Sequence, residues 1–66
     1  MKIQLNGEAR EVNDNLTVSE LLQSLALTGK RIAVEVNEEI VPRSLHGEVR
    51  LSENDRIEVV HAIGGG

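Results

Sequence analysis

The sequence predicts a two-layer α+β domain, one amphipathic helix laid over a mixed sheet in the order ββαββ. Three observations carry this. An alternating apolar run ends in Asn6-Gly7, a capping box opens a single helical stripe at Thr17, and two further alternating runs begin at Ile32 and Arg56. A helix with one apolar stripe needs one sheet face to cover it, and four or five strands need one such helix.

In the first element Met1, Ile3 and Leu5 alternate with polar residues, and Asn6-Gly7 suits the positive φ values of a type I′ turn. The return strand is expected over residues 8–13, with Val12 its clearest inward residue, and Asp14-Asn15 breaks the pattern. Thr17-Val18-Ser19-Glu20 then reads as a capping box, Leu16 and Leu21 stand at hydrophobic-staple spacing, and Val18, Leu21, Leu22 and Leu25 form one stripe. Gly29 is the expected helix stop. Ile32, Val34 and Val36 predict a strand with one buried face, turned back at Asn37-Glu38-Glu39 into a brief pairing by Ile40-Val41 that Pro42 ends. Residues 43–55 read as irregular, anchored by Leu45, Val49 and Leu51, before a turn at residues 52–55. A last strand is expected over residues 56–63, with Ile57 and Val59 inward and Glu58 outward.

Composition limits what such a domain can do. The chain has 66 residues, 39% of them apolar, with no Phe, Tyr, Trp or Cys, so Leu, Val and Ile must build one small aliphatic core. A domain this short buries only about 60% of the surface its unfolded chain exposes, which leaves little sequence for a deep pocket. Seven basic against eleven acidic side chains give a net charge of −4, which makes nucleic acid an unfavourable partner. Neither a signal peptide nor a membrane span is legible at the start, and the expectation is a soluble cytoplasmic chain with no membrane partner.

Enzymatic constellations are nearly absent. His46 and His61 stand in a loop and a strand, without the spacing of a metal site, and no serine has a placed base. No catalytic and no metal-binding residue is therefore assigned. The carboxylates fall at exposed positions, where they solubilise the surface and steer a basic partner. If the last strand lies beside the first, as a right-handed crossover favours, the chain leaves the sheet at its centre and the second sheet face stays open. Val60 then lies exposed on that face beside Glu58, and with Ile63 these are the expected partner-binding residues. Gly64-Gly65-Gly66 follows the last strand as a slim arm, and Ile63 to Gly66 extended spans up to about 14 Å at about 3.3–3.6 Å per residue. The expected organisation is one domain over residues 1–66, with residues 63–66 as a flexible tail.

Over nearly its whole length the chain resembles the ubiquitin-like β-grasp sulfur carriers, and most closely the thiamin-biosynthesis (ThiS) family. The resemblance runs through Ile3-x-Leu5-Asn6-Gly7-Glu8, Leu16-Thr17-Val18-x-Glu20-Leu21-Leu22, Val34-x-Val36-Asn37-x-x-Ile40-Val41-Pro42-Arg43, Asp55-x-Ile57-Glu58-Val59-Val60 and the final glycines. It implies a β-grasp fold and a protein cosubstrate rather than an enzyme. In that reading an E1-like adenylating enzyme of the ThiF type uses Mg-ATP to activate the Gly66 carboxylate, and a cysteine-desulfurase-type system supplies sulfur. The resulting thiocarboxylate serves a ThiG-type thiazole synthase, with Gly64, Gly65 and Gly66 inserted into the partner's active site. The chain itself would bind no cofactor. A carrier for another pathway, of the molybdopterin type, and a ubiquitin-like protein modifier remain the alternatives.

Overall fold

The computed structural model describes residues 1–61. Five strands form one mixed sheet: β1 (Lys2–Leu5), β2 (Glu8–Glu11), β3 (Ile32–Val36), β4 (Glu39–Ile40) and β5 (Arg56–His61). They lie in the order β2-β1-β5-β3-β4. The helix α1 (Val18–Ser24) covers one face, and the order is ββαβββ: the expected ββαββ with the brief pairing at Ile40 forming a strand of its own, and with the last strand central as expected. β5 runs parallel to β1 and antiparallel to β3, with Leu5 opposite Ile57 and Val34 opposite Val59.

Local chemistry explains most of the element ends. At the first hairpin Asn6 and Gly7 both have positive φ, 49° and 85°, as a type I′ turn requires. Asn37 and Glu38, at 52° and 71°, make the same kind of two-residue turn between β3 and β4. The capping box forms as expected: the Thr17 hydroxyl accepts from the Glu20 amide at 3.1 Å, and the Glu20 carboxylate accepts from the Thr17 amide at 2.9 Å. The Thr17 hydroxyl also donates to the carboxylate at 3.1 Å, and the two hydrogen bonds that the carboxylate accepts from Thr17, the backbone one first, hold the Glu20 carboxyl below its ordinary value.

The helix is shorter than the sequence predicts. It ends at Ser24 with Leu25 as its cap, well before Gly29, because Ala26 turns left-handed at φ 58°. The Ala26 amide donates to the Gln23 carbonyl and the Leu27 amide to the Leu22 carbonyl, the two hydrogen bonds of a Schellman stop. Leu27 then folds back onto the core, and that apolar contact outweighs the strain of a left-handed alanine. Gly29, at φ 82°, serves a separate turn in which the Lys30 amide donates to the Leu27 carbonyl.

Two other boundaries move. β2 ends at Glu11 rather than Asn13, although the Val12 amide still donates to the Met1 carbonyl and Val12 packs half-buried against the core. Leu45 is no anchor. A 3₁₀ turn over Arg43–Leu45 swings it outward to 40% exposure, while Val41 and Leu51 are buried instead. The segment after that turn is stitched to the helix start by Val18 N donating to Val49 O and Leu51 N donating to Leu16 O, with Thr17 and Arg50 paired as an isolated bridge.

The core is aliphatic, as the composition demands. Ile3, Leu5, Val18, Leu21, Leu22, Val34, Val41, Leu51, Ile57 and Val59 are buried, with Val49 and Leu25 partly buried against them. No helix among the described residues is long and apolar enough to cross a membrane.

Candidate functional site: the open sheet face beside the chain exit

Strand alternation sends Ile57 and Val59 under the helix and leaves Glu58 and Val60 on the opposite face. Cross-strand register places their neighbours. Val60 stands opposite Ala33, and Glu58 opposite Glu35, which in turn faces Ile40 on β4. Val60 is 53% exposed and Ile40 70% exposed. The two are the exposed large apolar side chains of a face that also carries Glu35 and Glu58.

The Glu35–Glu58 register is unfavourable for the isolated protein. Like charges directly opposite on neighbouring strands are destabilising. Glu38 joins them around a shallow cleft of about 250 Å³ that Gln4 and Arg56 also line. Three carboxylates beside two exposed aliphatic side chains are suited to a partner with basic groups around an apolar centre.

A side-chain clamp holds β5 just before the chain exit. Backbone pairing with β1 ends as the Asn6 amide donates to the Ile57 carbonyl at 2.8 Å. The Asn6 carboxamide then continues the ladder, its oxygen accepting from the Val59 amide at 2.8 Å and its nitrogen donating to the Val59 carbonyl at 3.3 Å. At the other end of the sheet the Asn37 side chain accepts from the Arg56 amide and donates to Asp55. β5 is thus held by asparagine side chains at Arg56 and at Val59.

Of the residues expected at the site, the structure brings Val60 and Glu58 together on the open face. Ile63, Gly64, Gly65 and Gly66 lie outside the described residues. His61, exposed on the other face of β5, stands opposite Ile32. His46 is half-buried, with its Nε2 3.1 Å from the Val41 carbonyl. No group of His, Asp and Glu that could hold a metal occurs among the described residues. The sequence reading missed Ala33, Glu35 and Ile40. The signal was present: a two-residue turn at Asn37-Glu38 pairs Ile40 with Glu35, and alternation puts Glu35 on the face away from Val34.

Comparison with known proteins agrees with this architecture. The ThiS family model matches residues 3–66. The sulfur carrier protein ThiS of Bacillus subtilis is 42% identical over 65 residues, which are 97% of this chain and 98% of the relative. A thiazole synthase of Magnetococcus marinus is 47% identical over all 66 residues, and one of Paramagnetospirillum magneticum 42%; the chain spans 20% of the length of each. The crystal structure of the thiamine biosynthesis protein (ThiS) of Geobacter metallireducens superimposes with a TM-score of 0.88 at 29% identity, covering both chains completely. With its β-grasp sheet, its covering helix and a family match that reaches from the first strand through the final glycines, the chain belongs to the ThiS family.

Proposed function

We propose that the chain is a sulfur carrier for thiazole formation in thiamin biosynthesis, with the Gly66 carboxylate as the atom group that carries sulfur. The observation that carries the reading is the similarity to the Bacillus subtilis sulfur carrier along nearly the whole of both chains. The thiazole synthases support the choice of partner, because each contains a segment similar to this entire chain within its own length.

The chemistry follows from the carboxylate. A carboxylate is a poor electrophile, so a ThiF-type adenylating enzyme with Mg-ATP would let it attack the α-phosphorus and expel pyrophosphate. The terminal sulfur of a persulfide, from a cysteine-desulfurase-type donor, then attacks the acyl carbon and expels AMP. A thiol cleaves the S–S bond, which forms a disulfide and leaves the thiocarboxylate. That soft nucleophile is passed to a ThiG-type thiazole synthase. The catalytic groups belong to the partners, and this chain supplies a slim arm and a docking face. Gly64 and Gly65 keep the arm narrow, while Val60, Ile40 and the carboxylates of Glu35, Glu38 and Glu58 meet the partner.

Reconstitution with the adenylating enzyme, ATP and a persulfide donor tests this by intact mass. The expected product is heavier by the difference between sulfur and oxygen, located at Gly66. An unchanged mass, or an isopeptide-linked ladder in place of the shift, contradicts the assignment.

A further inference from the structure

A second cleft lies on the helix side of the sheet, and its lining departs from the rest of the surface. It measures about 260 Å³ and sits between the loop that follows α1 and the 3₁₀ turn. Lys30, Arg43, His46, Ser19 and Thr28 bring five polar side chains to it, over a floor that includes Leu22 and Ile32. In a chain with eleven carboxylates, none lines this cleft, whereas the cleft on the open face holds three and a third cleft holds Glu8.

The cationic groups are available. Among the described residues neither Lys30 nor Arg43 has a carboxylate partner. The Arg43 Nη2 donates to the Lys30 carbonyl at 3.3 Å, which ties the Pro42-Arg43 corner to the far wall and leaves the remaining guanidinium donors for a ligand. His46 uses Nε2 at the Val41 carbonyl, and its own carbonyl accepts from the Ser19 amide at 2.8 Å, so the ring and the helix start are held in one arrangement. The cleft also lies toward the C-terminal end of β5, since Ile32 on its floor pairs with His61.

We propose that this cleft binds the phosphoryl group of a small phosphate ester. An arginine fork, a lysine and two hydroxyls match the several acceptor oxygens of a phosphoryl group better than the two of a carboxylate. The aliphatic floor accepts the organic part, as in small-molecule sites where a few polar groups orient a largely apolar contact. The site is independent of the sulfur-carrier reading, because it uses none of the residues assigned to it.

The test is an amide-resolved NMR titration of the whole chain with inorganic phosphate, AMP and a glutamate-rich peptide, at ionic strength fixed with sodium chloride. The expected result is saturable shifts concentrated at Ser19, Thr28, Gly29, Lys30, His46 and Gly47, with AMP tighter than inorganic phosphate. Lys30→Gln and Arg43→Gln should each weaken binding about tenfold, the loss of about one charge-assisted hydrogen bond. Lys30→Gln removes no side-chain hydrogen bond among the described residues, so its melting curve should match the parent. Shifts that grow linearly, spread over the surface or persist undiminished in Lys30→Gln would mean an adventitious ion only and would overturn the site. Phosphate binding as tightly as AMP would overturn the ester assignment. A stronger response to the acidic peptide would overturn the proposal in favour of a protein partner.

Discussion

Val59 and Val60 are neighbours on the central strand, and they show how differently the two faces of the sheet are used. Val59 is 9% exposed and packs under the helix among ten buried aliphatic residues, whereas Val60 is 53% exposed on a face with no helix over it among the described residues. One face buries its apolar side chains in the core. The other leaves apolar groups in water and sets Glu35 against Glu58, an arrangement that lowers the stability of the isolated chain. The lesson is that, with the open face as the proposed docking surface, stability and recognition are separated by a single step along β5, so a substitution on one face should leave the property of the other nearly untouched.

The largest effect that would break this comparison lies on the covered face. Leu21 is fully buried, so Leu21→Ala should cost about 2–5 kcal/mol, the usual range for a buried leucine. A 66-residue domain has roughly 3–10 kcal/mol in all, so the variant should be largely unfolded or melt far earlier in urea. A loss within the ~0.5 kcal/mol typical of surface sites would show that the helix does not close the core as described. Next in size is the arm. If Gly66 carries the sulfur as proposed, deleting it moves the reacting carbon by more than 1 Å, a displacement that can cost about 100-fold in an oriented reaction, so pyrophosphate exchange should collapse while the urea midpoint stays put. Unchanged exchange would return the glycines to an inert end.

Two smaller predictions sharpen the account of the covered face. Ala26→Gly relieves a left-handed alanine at the helix stop and should stabilise the chain by up to about 1 kcal/mol in a urea melt. A destabilised variant would mean that the stop is not held by Ala26. Acid gives the smallest effect. Because the Glu20 carboxyl lies below its ordinary value of 4.5 in the folded chain, its contribution is present above that value and is lost as pH falls through the lowered one. Glu20→Gln should flatten that part of the stability curve between the two values. An unchanged acid limb would remove the capping box from it.

How much of this was legible in the sequence depended on whether the signal was local. The two-residue turn at Asn6-Gly7, the Thr17–Glu20 capping box and the inward parity of Ile57 and Val59 are set by near neighbours, and all three stand in the structure. The helix end was misread because Gly29 is the better left-handed residue by propensity. What decides it is the contact of Leu27 with the core, three-dimensional information that no window of sequence holds. Leu45 failed for the same reason, since the Pro42–His46 turn fixes which of the later aliphatic residues reaches inward. At the site, Val60 and Glu58 followed from alternation alone. The Asn6 clamp on Val59 joins residues 53 positions apart, and the cationic cleft joins Lys30 to Arg43 across a loop, so neither had a local signature.

The central claim is that the open face serves a partner while the covered face serves the fold, and substituting Asp at either valine tests it most directly. Each variant is measured twice, by urea midpoint and by association rate with the adenylating enzyme at two salt concentrations. Val59→Asp places a charge in the core and should abolish cooperative folding. Val60→Asp should keep the parent midpoint and lose most of its association with the enzyme, and parent association should slow as salt rises through the screening of Glu35, Glu38 and Glu58. Parental stability and parental association in Val60→Asp, at both salt concentrations, would contradict the assignment of this face.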